Sequence, residues 1–237
     1  MSRELAILAA SAASIGFIHT LFGPDHYLPF VVMARARSWS LTKTALMTIV
    51  CGIGHVMSSV LLGVIGVALG FAVTGLEGVE SIRGDVAAWV LIAFGLVYFI
   101  WGARRAWKNR PHVHRHHHGD GLEHAHEHTH TTEHAHVHTK KGSADVTPWV
   151  LFTIFVLGPC EPLIPMLMYP AAKSSVFGLV LVTAIFGVTT IATMVAVVLI
   201  ATFGINLLPV SRLERYTHAL AGATICLCGL AIQFLGL

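Results

Sequence analysis

The chain has 237 residues, 55% of them hydrophobic and only 11% charged, with a formal net charge of +3. A soluble domain carries roughly 25% charged residues, so a soluble globular class is excluded, and nothing points to a nucleic-acid partner. The charges collect between long apolar stretches. A spanning helix needs about 20 mostly apolar residues, and six segments reach that length: 4–33, 44–73, 86–107, 148–170, 176–203 and 216–237. No cleavable signal peptide is expected at the start, because its first apolar stretch is too long for one.

The first segment carries HTLFGPDH, which places His19, Asp25 and His26 around a Gly23–Pro24 break. The second carries His55 in CGIGHVMSS. After the third comes a tract, residues 112–138, that holds twelve of the sixteen histidines. They are His112, His114, His116, His117, His118, His124, His126, His128, His130, His134, His136 and His138, many in H-x-H alternation. With Gly, Thr, Glu and Asp between them, no core can form, and the tract is expected to be disordered without ligand. The fourth segment carries Cys160 and Glu161 in LGPCEPLIP. The cysteines Cys51, Cys160, Cys226 and Cys228 all lie inside spans, so no extracellular disulfide framework is expected.

Lys and Arg mark the cytoplasmic side of a membrane protein. Twelve fall in the first, third and fifth connections; Arg3, Arg83 and Lys173 alone fall on the other side. Both termini are therefore expected to face outward and the histidine tract the cytoplasm. The chain also matches itself: laid over each other without a gap, 23–60 and 158–195 share ten identities, the Gly-Pro among them. Three spans per half would make the halves inverted, a transporter architecture with its site at broken helices near the midplane. The expected fold is all-α and integral to the membrane. It has six transmembrane helices as two inverted three-helix repeats, residues 1–110 and 148–237, joined by the loop 111–147.

Ionisable side chains inside a bilayer are costly and by default functional. Imidazole and carboxylate together suit Ni, Co, Zn, Fe or Cu, and a thiolate biases the choice toward softer ions; Ni, Co or Zn is the expected substrate. The proposed metal site is His19, Asp25, His26 and His55, with Cys160 and Glu161 approaching from the other half. His19 and His26 are seven apart, about 10.5 Å along an unbroken helix, so they can share one ion only if the Gly-Pro break shortens that separation. The twelve loop histidines are expected to capture metal on the cytoplasmic side, which favours efflux.

HTLFGPDH and CGIGHVMSS resemble the H-x4-D-H and L-G-H-S motifs of nickel/cobalt permeases. The histidine-rich loop resembles that of the nickel/cobalt efflux (NicO-type) proteins, and the chain as a whole is similar to UreH-like transmembrane proteins. The resemblance implies that His19, Asp25, His26 and His55 fall on metal-binding positions. Here five residues separate His19 from Asp25, one more than in the family motif, and Val56 stands where the family has Ser. A more distant resemblance links LGPCEPLIP to the proline-flanked Cys motif of DsbD/CcdA-type thiol–disulfide carriers. Those use one Cys per half, and here Asp25 stands opposite Cys160.

The expected function is a transporter, not an enzyme, for a divalent transition-metal ion of the nickel/cobalt kind. The expected direction is outward across a bacterial cytoplasmic (inner) membrane. The metal is the substrate, and no organic cofactor is expected. Partners are the ion and the bilayer, with homo-oligomerisation left open. The alternatives are a transmembrane thiol–disulfide reductant carrier and a non-transporting metal sensor or delivery protein.

Overall fold

A computed structural model describes residues 3–69, 73–108, 112–117, 123–128, 147–160, 162–172, 175–207 and 211–236. Outside the histidine tract, every described element is helical. In chain order these are α1 (Arg3–Phe22), a 3₁₀ turn (Pro24–His26), α2 (Leu28–Ala36), α3 (Leu41–Ala68) and α4 (Val73–Lys108). Then follow α5 (Thr147–Leu157), α6 (Leu163–Ala172), α7 (Val176–Leu207), a second 3₁₀ turn (Ser211–Tyr216) and α8 (Thr217–Leu235).

Among the described residues, five helical segments are long and apolar enough to cross a bilayer: Arg3–Phe22, Leu41–Gly66, Gly75–Lys108, Val176–Leu207 and Leu213–Leu235. The fourth expected span is not one helix. It is α5 and α6 in series, because Pro159 and Pro162 each remove a backbone donor and stop the hydrogen-bond ladder. The first expected span is also split, and its break follows a full 20-residue α1 instead of lying near the middle. The third begins well before hydropathy indicates, at Val73 instead of position 86. Its first turns carry Glu77, Glu80, Arg83 and Asp85, which lower the local hydropathy without ending the helix.

The helices pack by exchange between the two sequence halves. α1 lies on α7 and α5 lies on α3, while α2 contacts α7 and α8, and α6 contacts α3 and α4. The most extensive pairing is α4 with α8. There the backbones nearly touch: a Cβ added to Gly222 would sit 2.2 Å from the Phe99 nitrogen, and one on Gly95 2.3 Å from the Cys226 nitrogen. Small residues at such crossings are how helices pack in lipid, where burying apolar surface gives no advantage. Outward-facing apolar side chains such as Trp89, Val97, Ile200 and Leu235 remain exposed, as a lipid-facing surface requires. Two apolar clusters fill the interior. One surrounds Phe30, Phe155 and Ile225, and the other surrounds Cys160, Leu163 and Phe186.

The histidine tract departs from the expected disorder at two places. Residues His112–His117 and Glu123–His128 form an antiparallel backbone ladder, with His112 opposite His128, His114 opposite His126 and His116 opposite His124. The two-residue period of H-x-H is also the period of a strand, which favours pairing over coil there. His118, His130, His134, His136 and His138 lie outside the described residues.

Candidate functional site

The site starts from the Gly23–Pro24 break. Pro24 cannot donate to the carbonyl four residues back, so α1 closes on the Gly23 N–H, which donates to His19 O at 3.0 Å. One tight 3₁₀ turn follows, with the His26 N–H donating to Gly23 O. Position 23 has to be glycine for a steric reason: a Cβ there would lie 2.5 Å from the His26 Nδ1. The turn folds the His26 ring back onto the end of α1. His19 and His26 end up with ring centroids 4.7 Å apart, edge to face, well below the roughly 10.5 Å of a straight helix. From the middle of α3, His55 approaches the other side of His26, at 5.1 Å between centroids. One ring nitrogen from each of His19, His26 and His55 lies within 4.8 Å of the other two.

Hydrogen bonds fix which nitrogen is free. The His26 Nδ1–H donates to Asp25 Oδ1 at 3.1 Å and to Gly23 O at 3.2 Å. The His55 Nδ1–H donates to Phe155 O at 3.2 Å. A carbonyl oxygen only accepts, so each ring carries a proton on Nδ1 and, when neutral, presents a bare lone pair at Nε2. The Phe155 carbonyl is available because Pro159, four residues on, has no N–H to offer it. The Nε2 atoms of His19, His26 and His55 are all buried and have no hydrogen-bond partner among the described residues. On His26 and His55 that atom is an acceptor, and a buried acceptor without a donor is costly. A tetrahedral ion with His–metal bonds near 2.1 Å sets nitrogens roughly 3.4 Å apart, so the rings need draw in by little more than about 1 Å.

The other expected ligands are placed differently. Asp25 is outside the nitrogen cluster and serves as acceptor for the His26 ring. Cys160 is fully buried among Ala12, Val56, Leu163 and Phe186, and is not part of the ligand group. Glu161 lies outside the described residues. Cys51 and Cys228 belong to the apolar cluster around Phe30, and all four cysteines are free. The cluster opens into a cavity of about 580 Å³, walled by His19, Asp25, His26 and His55 and reaching Ser81 and Asp85 of α4 and Gly236 beyond α8. Ser81 and Asp85 are exposed. Phe155, in the cavity wall, packs against Phe30 with ring centroids 4.6 Å apart.

Two residues that hydropathy alone does not single out stand at the second break. Glu80 is completely buried and pairs with Arg83 on the next turn of α4. The sequence signal is an E-x-x-R pair at helical spacing, hidden in a stretch polar enough to read as a connection.

The family described as the cytochrome c biogenesis protein transmembrane region matches residues 28–231. The chain belongs to this family. No curated protein and no solved structure matches. Family membership and the apolar helices together make the chain an integral membrane protein of the DsbD/CcdA-like kind. The match runs through α2 to α8 and includes His55 and Cys160, but starts after His19 and His26.

Proposed function

We propose that this chain is a membrane carrier for a divalent transition-metal ion, held inside the helix bundle by His19, His26 and His55. The observation that carries the reading is the convergence of three imidazoles, each with a ring nitrogen within 4.8 Å of the others and a buried Nε2 without a hydrogen-bond partner among the described residues. Rings held at Nδ1 by a carboxylate or a carbonyl are the usual arrangement of metal-binding histidines. Neutral imidazole suits Ni, Co and Zn, in keeping with the likeness of HTLFGPDH to nickel/cobalt permease motifs. An inverted repeat supplies the motion. α2 starts at Leu28 and α6 at Leu163, α3 at Leu41 and α7 at Val176, so both pairs keep the register of the sequence match. The helices also exchange partners between halves. The cavity reaches the half of α4 remote from Arg104, Arg105 and Lys108. By the positive-inside rule the site is then open outward. The histidine tract collects ions on the cytoplasmic side, and the transport direction is outward.

The test is ion flux in reconstituted vesicles loaded with a Co²⁺- and Ni²⁺-sensitive dye. Wild type should move the ion, and His26→Ala and His55→Ala should not. Equal flux from all three removes the reading. Binding by wild type without flux would assign the chain to metal sensing or delivery.

A second reading is a transmembrane thiol–disulfide reductant carrier. Family membership favours it more directly than metal transport, and Cys160 sits beside a proline-flanked break. It requires a second thiol with Cα atoms about 4.4–6.8 Å apart, and Cys51 and Cys228 lie in the other apolar cluster. Thiol trapping under oxidising and reducing conditions separates the readings. A Cys160 that cycles between states, with activity abolished in Cys160→Ser, would establish the reductant carrier.

A further inference from the structure

We propose that Arg83, braced by Glu80, is a positioning residue for the histidine site, acting through the second helix break. The inference rests on the metal-binding reading and concerns groups that do not themselves touch the ion. In an unbroken helix the Cys160 N–H would donate to Val156 O. Here the two partners are separated and each is taken by one member of the α4 ion pair. The Cys160 N–H donates to Glu80 Oε2 at 3.2 Å, and Arg83 donates to Val156 O at 2.9 Å. Pro162 leaves Gly158 O without its helical donor, and Arg83 reaches that carbonyl too, at 3.2 Å. The ion pair thus stands in for the backbone hydrogen bonds that the break gives up.

Its effect reaches His55 from two directions. The segment it holds carries Phe155 O, which accepts the His55 Nδ1–H. The same guanidinium donates to Ser58 Oγ at 2.7 Å, and Ser58 in turn donates to the His55 carbonyl at 2.8 Å. Ring and backbone of His55 are therefore both tied to groups that Arg83 fixes. Glu80 is fully buried and the Arg83 side chain is 18% exposed, so the pair is desolvated. A buried pair of this kind is costly and is often replaceable by apolar residues without loss of stability. Its siting at the break that orients a metal ligand gives it a use that stability alone does not.

The experiment compares wild type, Arg83→Lys, Arg83→Gln and Glu80→Gln, each purified full length and retained only if monodisperse. Two readouts are taken: Co²⁺ affinity with the visible cobalt spectrum, and ¹⁵N imidazole NMR of His55 in metal-free protein. Both Arg83 variants should bind Co²⁺ about tenfold more weakly or worse, the scale of lost ligand orientation, with an altered spectrum. Their His55 should lose its single Nδ1–H form, and Glu80→Gln should fall between. If Arg83→Gln does not fold, Arg83→Lys keeps the charge and carries the comparison, since one ammonium cannot span the same acceptors. A wild-type His55 pattern in the Arg83 variants overturns the proposal. Absence of Co²⁺ binding in wild type would overturn the metal reading instead, and the metal-free His55 signal would still decide the role of Arg83.

Discussion

Replacing Asp25 by Asn tests what the carboxylate does at the candidate site. Its Oδ1 lies 3.1 Å from the His26 Nδ1, and Gly23 O holds the same nitrogen at 3.2 Å. The ring therefore keeps one acceptor when the charge is removed, and His26 should stay in place. What is lost is attraction between the carboxylate and an ion bound at the far nitrogen, across the width of the ring. The Asp25 side chain is 31% exposed, so an effective dielectric of about 40, between surface and bulk values, is appropriate. A single negative charge and a divalent cation about 7 Å apart are then worth about 2 kcal/mol, or roughly thirtyfold in affinity. That falls inside the 10–100-fold range typical of groups that orient a ligand. Competition titration of Co²⁺ onto purified Asp25→Asn protein measures it. Affinity within about twofold of wild type would refute the electrostatic argument, and a loss beyond about a thousandfold would make Asp25 a direct ligand.

Gly222→Ala places a methyl 2.2 Å from the Phe99 nitrogen and should destabilise the bundle by about 3 kcal/mol or more, at the top of the usual overpacking range; thermal unfolding in detergent reads this directly. Ser81→Cys, on the cavity wall and exposed, should react with membrane-impermeant thiol reagents from outside, and saturating Co²⁺ should slow the reaction; labelling only from the cytoplasmic side would reverse the assigned sidedness. Deleting residues 112–138 should reduce the number of weakly bound Ni²⁺ ions counted by equilibrium dialysis, and leave the tight site and membrane insertion intact.

Much of the fold was legible because the cause was local. Gly23–Pro24 and Gly158–Pro159 announce the two breaks, since a proline following a helical run removes a backbone donor and clashes with the preceding turn. The match of 23–60 with 158–195 likewise anticipates where α6 and α7 begin. His26 and His55 stand out because an ionisable group in an apolar run is conspicuous. What the sequence could not convey depends on contacts across the bundle. The distance from His19 to His26 hinges on how tightly one 3₁₀ turn closes. The direction taken by Cys160 is tied to a hydrogen bond from its backbone to Glu80, far earlier in the chain. Glu80 and Arg83 were hidden because their charges make 73–85 resemble a connection, and only the packed structure shows the two neutralising each other. Asp25 sits next to His26 in sequence, yet whether it would ligate an ion or steady its neighbour was not readable without the turn geometry.

The glycine-lined seam between α4 and α8 bears on how such a molecule can move. One helix comes from each sequence half, and at Gly95, Gly102, Gly222 and Gly229 main chain lies against its neighbour with no room for a methyl group. Side chains can change rotamer to let surfaces slip, but keyed main chains cannot ride over one another. If the halves shift during a transport cycle, this line must serve as the axle, with spin-label distances across it staying constant. The travel is then left to the looser flanks, where α1 meets α7 and α5 meets α3.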